Sequence, residues 1–375
     1  QVSSIPESIR EFLDLHPFHQ KRVEIGEFSI IGSSKVSDFA MKEAAYLIDN
    51  MVGERKELLV TLNQNKARLV IMARNEFTTD IPEHSDLTPS KYWDRRARGL
   101  GATFARPAVS CGEENLLGIP GDPYAKENIL IHEFAHALHQ MALIQLDDSF
   151  QNQIEGCFKN SIEHSIWEGT YASTNVNEYW AEGVQSWFNT NRENDRDHAW
   201  INTREELKKA DPQLANLIEK TLGNSEWRYQ LPRNRNPQTP HLNGFQSNNE
   251  TPFNWPKDLV QWFADYESGN VGLAPKGSPN IKPVSINSKS VQKSQHSRKR
   301  TQLYFRNLSD KTILLEWIDF QGMSKQRRTI RPQDQLEINS FVGHIWQVID
   351  KVSGQKILRF ILPESKTSQF SLKSF

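Results

Sequence analysis

The chain has 375 residues, 37% of them hydrophobic and 24% charged, and its 45 Lys and Arg nearly balance 46 Asp and Glu. That balance excludes a protein that wraps nucleic acid by neutralising phosphates. No run of about 18 apolar residues is present to cross a membrane as a helix, and the length predicts about two or three domains.

In chain order, Gln1 at the start leads us to expect a chain trimmed either by a signal peptidase or by design, and the expected location is secreted or in the cell envelope. RVEIGEFSIIG (22–32) predicts a strand pair. Ser37 is placed to cap a helix whose Phe39, Ala40, Ala44, Leu47, Ile48 and Met51 follow the 3.6-residue period, with Gly53 ending it. RLVIMA (68–73) reads as a buried strand, and ARPAVSCG (105–112) as another. A strong helix is predicted over about 126–146 and a second over about 175–188, while 233–256 is polar and loop-like. Together these predict an α+β domain over 1–268. Gly, Pro, Ser, Asn and Lys dominate 269–300, which reads as a flexible linker. Its end, Ser297-Arg298-Lys299-Arg300, is either a processing or polyanion-contact site or simply solvated. From 301 to 375 short alternating apolar runs predict a small all-β sandwich. Cys111 and Cys157 allow one disulfide or two thiols.

His132-Glu133-Phe134-Ala135-His136 carries the chemistry. Residues four apart share a helix face, so both imidazoles reach one metal ion. Glu133 points beside the metal, where it can take the proton of a zinc-bound water and pass it to a leaving amine. A hydrolytic zinc with an open position needs a third protein ligand. Glu178 and Glu182 are again four apart on a predicted helix among Tyr179, Trp180 and Val184. One carboxylate of the pair can bind the metal, and we assign Glu178. Glu182 then accepts the free N–H of a ligating imidazole. His139 reads as a supporting or surface histidine. A substrate strand is expected to run along a sheet edge within 106–117.

HEFAH followed by Tyr171 and Glu178-Tyr-Trp-Ala-Glu182 resembles the gluzincin metallopeptidases of the anthrax lethal factor and Pro-Pro endopeptidase type. The resemblance implies a zincin-like fold, one Zn2+ per chain and peptide-bond hydrolysis. It makes Glu178 the third ligand, Glu182 a supporting residue and Tyr171 the donor that stabilises the oxyanion.

EWIDFQG (316–322) and NSFVGHIW (339–346) resemble the two signature segments of the von Hippel–Lindau β domain. That resemblance implies a peptide-binding pocket at Trp317, Ser340, His344 and Trp346, which in the family takes hydroxyproline. A pocket tyrosine of the family falls on Arg327 here. From the residues alone, the two tryptophans serve equally as sandwich core. The expectation is therefore a zinc endopeptidase acting on a protein or peptide, with an appended peptide-binding module. The alternative is a non-catalytic zinc scaffold whose β domain does the recognition.

Overall fold

The protein is described here from a computed structural model, over residues 1–268, 274–275, 277–286, 288 and 291–373, the side chains of Gln326 and Arg327 apart. The chain mixes helix and sheet and divides into two compact units, Gln1–Leu87 with Arg96–Trp255, and Thr88–Arg95 with the chain from Pro256 onward.

The first unit is built on six strands: β1 (Ser3–Ser4), β2 (Lys21–Ile25), β3 (Phe28–Gly32), β4 (Arg68–Met72), β5 (Gly99–Leu100) and β6 (Ala108–Gly112). Their order is β1-β2-β3-β4-β6-β5. β4 pairs in parallel with both β3 and β6, and every residue of these three strands is buried. Continuous apolar runs such as Leu69-Val70-Ile71-Met72 suit a strand covered on both faces. The predicted strand pair is the β2–β3 hairpin, which turns at Gly26 with φ of 56°. The first long helix, Asp38–Val52, starts where the Ser37 hydroxyl accepts from Phe39 N–H and stops at Gly53, as its sequence indicates.

Two helices carry the motif residues. In the first, Ile129–Leu138, the Asn128 side chain caps the free N–H of Ile131. The apolar stretch then continues through one π turn, His139–Leu143. The second, Val176–Trp187, is capped by Asn175, which accepts from the N–H groups of Asn177 and Glu178. The two pack directly: Trp180 Nε1 donates to Ala135 O at 2.9 Å. The loop-like segment over 233–256 is pinned to this unit. Arg235 pairs with the fully buried Glu43, and Phe253 N–H donates to Pro120 O.

Among the described residues the second unit holds seven strands: β7 (Arg300–Asn307), β8 (Ile313–Ile318), β9 (Ser324–Ile330), β10 (Gln335–Phe341), β11 (Ile345–Asp350), β12 (Lys356–Ile361) and β13 (Thr367–Leu372). They form a sandwich of sheets ordered β10-β7-β13 and β12-β11-β8-β9. Leu303, Phe305, Leu315, Trp346, Val348, Phe360 and Phe370 fill it, and the rings of Phe360 and Phe370 stack at 4.6 Å.

The observed division departs from the expected one in three places. Thr88–Arg95, expected within the first domain, falls in the second unit. The helix Lys257–Glu267, assigned by sequence to the first domain, belongs to the second unit. Its Tyr266 hydroxyl donates to Gln333 O at 2.6 Å, and the Arg306 guanidinium lies 3.2 Å from the Tyr266 ring centre. The stretch expected as a linker is partly folded. Asn280 bridges Gln369, Val284 bridges Arg359, and Val291 is fully buried. The Ser294 hydroxyl donates to Ile318 O and accepts from Trp317 Nε1 and Ile345 N–H. A serine-rich composition hides this, because each bond is to a partner far along the chain. Residues 269–273, also expected as linker, lie outside the described residues.

Candidate metal centre and peptide pocket

Asn128 starts the first motif helix so that His132 and His136 emerge one turn apart on the face turned to Glu178. The Nε2 atoms of the two histidines are 3.1 Å apart, and Glu178 Oε2 lies 3.1 Å from one and 3.3 Å from the other. Among the described residues these three form the one group of such side chains able to hold a metal ion. Zinc bonds of about 2.0–2.1 Å at tetrahedral angles separate ligand atoms by roughly 3.3 Å, so the spacing fits.

The surrounding bonds test the fit further. Gln185 Nε2 donates to Glu127 Oε2 at 3.1 Å, which leaves Gln185 Oε1 as an acceptor facing His132 Nδ1 at 2.8 Å. His132 must then carry its proton on Nδ1. Its Nε2 lone pair points at another imidazole nitrogen and a carboxylate, an arrangement that calls for a cation. The field agrees. Burial opposes charge on His132, but Glu178, Glu133 and Glu182 outweigh it and raise its pKa to about 10, so that without an ion Nε2 takes up a proton in the cation's place. Burial likewise opposes charge on Glu178, yet the two imidazoles keep it well below the usual carboxylate range. The side chains present fit zinc.

Glu133 stands beside this cluster. Burial raises its pKa, His132 and His136 pull it back down, and Glu178 adds to the rise. Tyr171 opens a short turn, Tyr171–Ser173, before the second motif helix. Its ring lies nearly parallel to that of His132 with centres 6.3 Å apart, and the Glu178 carboxylate acts on its hydroxyl. Burial and the Glu178 charge keep the phenol protonated. The structure thus brings together His132, Glu133, His136, Tyr171 and Glu178.

Glu182 stands beside His132 as a supporting carboxylate, without the close hydrogen bond expected of it. Its Oε1 is 3.5 Å from His132 Nδ1 and 3.7 Å from His198 Nε2, while Oε2 accepts from Asn191 Nδ2 at 2.9 Å. The hydrogen bond to the imidazole belongs to Gln185, which sequence reasoning missed. Its signal is the i, i+4, i+7 spacing of 178, 182 and 185 on one helix face. His139 is neither a metal neighbour nor a surface group: it is buried, meets Gln151 Oε1 at 2.9 Å and packs against Phe150.

The substrate edge also differs. β6, within the expected 106–117, is interior, flanked by β4 and β5. The sheet ends at β5, and its Gly99, with Gly101 just after it, passes close enough to the first motif helix that a side chain at either position would crowd it. A Cβ on Gly99 would meet Glu133 Cγ at 3.0 Å, and one on Gly101 would meet His136 Cβ at 2.8 Å. The buried Arg98 anchors this crossing through Glu114, with Nε to Oε1 at 2.6 Å and a further bond to Glu76 O. Cys111, on β6, and Cys157 are both free thiols.

In the second unit, Trp317, Ser340, His344 and Trp346 line one cavity of about 290 Å³. Trp317 and His344 stack at 5.0 Å, and Ser340 Oγ meets His344 Nδ1 at 3.1 Å. Burial and the neighbouring His296 lower the His344 pKa. Phe320 and Phe341, not singled out from sequence, close the walls. The Arg327 side chain, expected at this pocket, lies outside the described residues.

Residues 292–359 match the family described as the VHL beta domain. The C-terminal part of the chain therefore carries a VHL β domain, and the match begins inside the stretch that composition presents as a linker. No curated protein matches the chain as a relative.

Proposed function

We propose that the protein is a zinc-dependent endopeptidase with a zincin-like catalytic domain and a peptide-binding VHL β domain. The observation that carries this reading is the convergence of His132, His136 and Glu178, whose ligand atoms lie within 4.8 Å of one another, with Glu133 alongside. Zinc bound there would supply Lewis acidity, acidifying water and polarising a peptide carbonyl.

The chain's own groups have separate tasks. His132, His136 and Glu178 hold the ion, and Gln185 keeps the His132 imidazole in the ligating tautomer. Glu133 accepts a proton at its carboxylate from the attacking water and returns it to the leaving amine nitrogen. The Tyr171 hydroxyl, kept protonated, donates to the carbonyl oxygen as negative charge develops there. A substrate running antiparallel along β5 pairs its backbone with an open sheet edge, and the missing side chains at Gly99 and Gly101 bring that backbone close to Glu133. In the β domain a proline-type ring, hydroxylated or not, enters the cavity between Trp317 and Trp346. The reading carries with it export from the cytosol, to the cell envelope or beyond, which fractionation of the producing cells checks.

The test is metal analysis of the purified protein together with cleavage of a broad peptide library by wild type and by Glu133→Gln. One zinc per chain in both, with cleavage reduced by about 10²–10⁴-fold in the variant, is expected. Zinc without any cleavage by wild type favours the scaffold alternative. Equal cleavage by the two proteins refutes the role of Glu133.

A further inference from the structure

Two cavities of the β domain share a wall. The aromatic one already described lies against Asn339, Ser340 and Phe341. The same three residues bound a second cavity of about 520 Å³, whose far side is formed by Arg300, Thr301 and Lys366. Pairing of β10 with β7 sets this up, because Ser340 faces Thr301 and Phe341 faces Arg300 across the ladder.

The chemistry of the second cavity is one-sided. Among the described residues, two cations line it and no carboxylate does. Neighbouring acids are engaged elsewhere: Glu337 accepts from Gln302, and Glu364 pairs with Lys299. Among the described residues, neither Arg300 nor Lys366 forms an ion pair. Each cavity is also lined by a residue with a buried polar atom that has no partner among the described residues, Thr301 in one and Trp346 in the other. Buried donors of this kind cost stability unless something accepts from them.

We infer that the two cavities form one bipartite site for an extended peptide, in which a ring seated beside Trp346 is accompanied by an Asp or Glu side chain held by Arg300 and Lys366. At about 3.3 Å per extended residue, the shared wall puts that acid within about two residues of the ring. Arg300, the last residue of the basic stretch at 297–300, thereby acquires a task. The inference rests on the reading of the β domain as a peptide-binding module.

The experiment uses the full chain carrying Glu133→Gln, so that probes are not cut. Fluorescein-labelled alanine nonapeptides with a central proline or hydroxyproline carry Glu, Gln or Lys one or two positions to either side, and binding is read by fluorescence polarisation. A Glu peptide is expected to bind about fivefold or more tightly than its Gln counterpart, with the advantage shrinking as salt is raised. The advantage disappears in Arg300→Gln/Lys366→Gln, while the Gln peptide binds that variant as before. Equal affinity of Glu and Gln peptides overturns the inference and leaves the peptide-binding reading standing. Failure of every peptide to bind overturns both.

Discussion

The candidate metal centre and the β-domain cavity use similar side chains and differ in how the polar atoms nearest to each are paired. At the metal centre the supporting polar atoms are paired within the protein: His132 with Gln185, Gln185 with Glu127, Glu182 with Asn191. What is left over is a cluster of lone pairs directed at one point. In the β domain, Trp346 Nε1 and Thr301 Oγ1 are buried and unpartnered. A metal site must hold its ligands fixed before the ion arrives, so its surroundings are satisfied from within. A peptide pocket can leave donors unpaired, because the ligand's own backbone and side chains complete them.

The largest effect that tests this contrast is Glu178→Ala. It is expected to abolish zinc retention and to remove metal-linked stability of about 4 kcal/mol when free zinc is a thousandfold above its dissociation constant. Calorimetry with and without added zinc reads this, and the contrast breaks if the unfolding of the β domain moves as well. Next, Gln185→Leu should weaken zinc binding by about 10–100-fold, measured by competition with a chromophoric chelator. Unchanged affinity would mean that the His132 tautomer needs no partner. A smaller and more discriminating comparison is Trp180→Phe against Trp346→Phe. Both remove an indole N–H, but only Trp180 donates one within the protein, to Ala135 O. The Trp180 variant should lose about 1 kcal/mol more stability in denaturant titrations.

The smallest effect is in pH. Burial and His296 hold the folded His344 below its ordinary value of 6.5, so the unfolded chain binds the proton more readily. The stability this group contributes is present above that value and is lost as pH falls below it. Melting curves from neutral to mildly acidic pH should therefore show a downward slope that His344→Asn flattens. An unchanged slope would show that His344 titrates freely.

Much of the metal centre was legible because its chemistry is local. Two histidines four apart and a glutamate on a second helix are fixed by helical geometry, and Ser37, Asn128 and Asn175 cap their helices as such residues do. Gln185 escaped notice because a neutral amide in an apolar helix carries no charge signal. β5 escaped because two residues are too short for any periodicity, and with it went the identity of the sheet edge. The cavity residues Trp317, Ser340, His344 and Trp346 were legible through resemblance. Their partner Ser294 was not, since its three bonds reach strands that follow it by more than 20 positions.

Ser294 also decides where the β domain can be excised. A fragment beginning at Thr301, the boundary that composition suggests, would strip the acceptor from the Trp317 indole and from the Ile345 amide together. It would also uncover the sheet surface that Val291 seals. Such a piece would lose its pocket wall for reasons unrelated to ligand recognition, so a working domain has to start upstream of Asn280, where the first bridge to β13 is made.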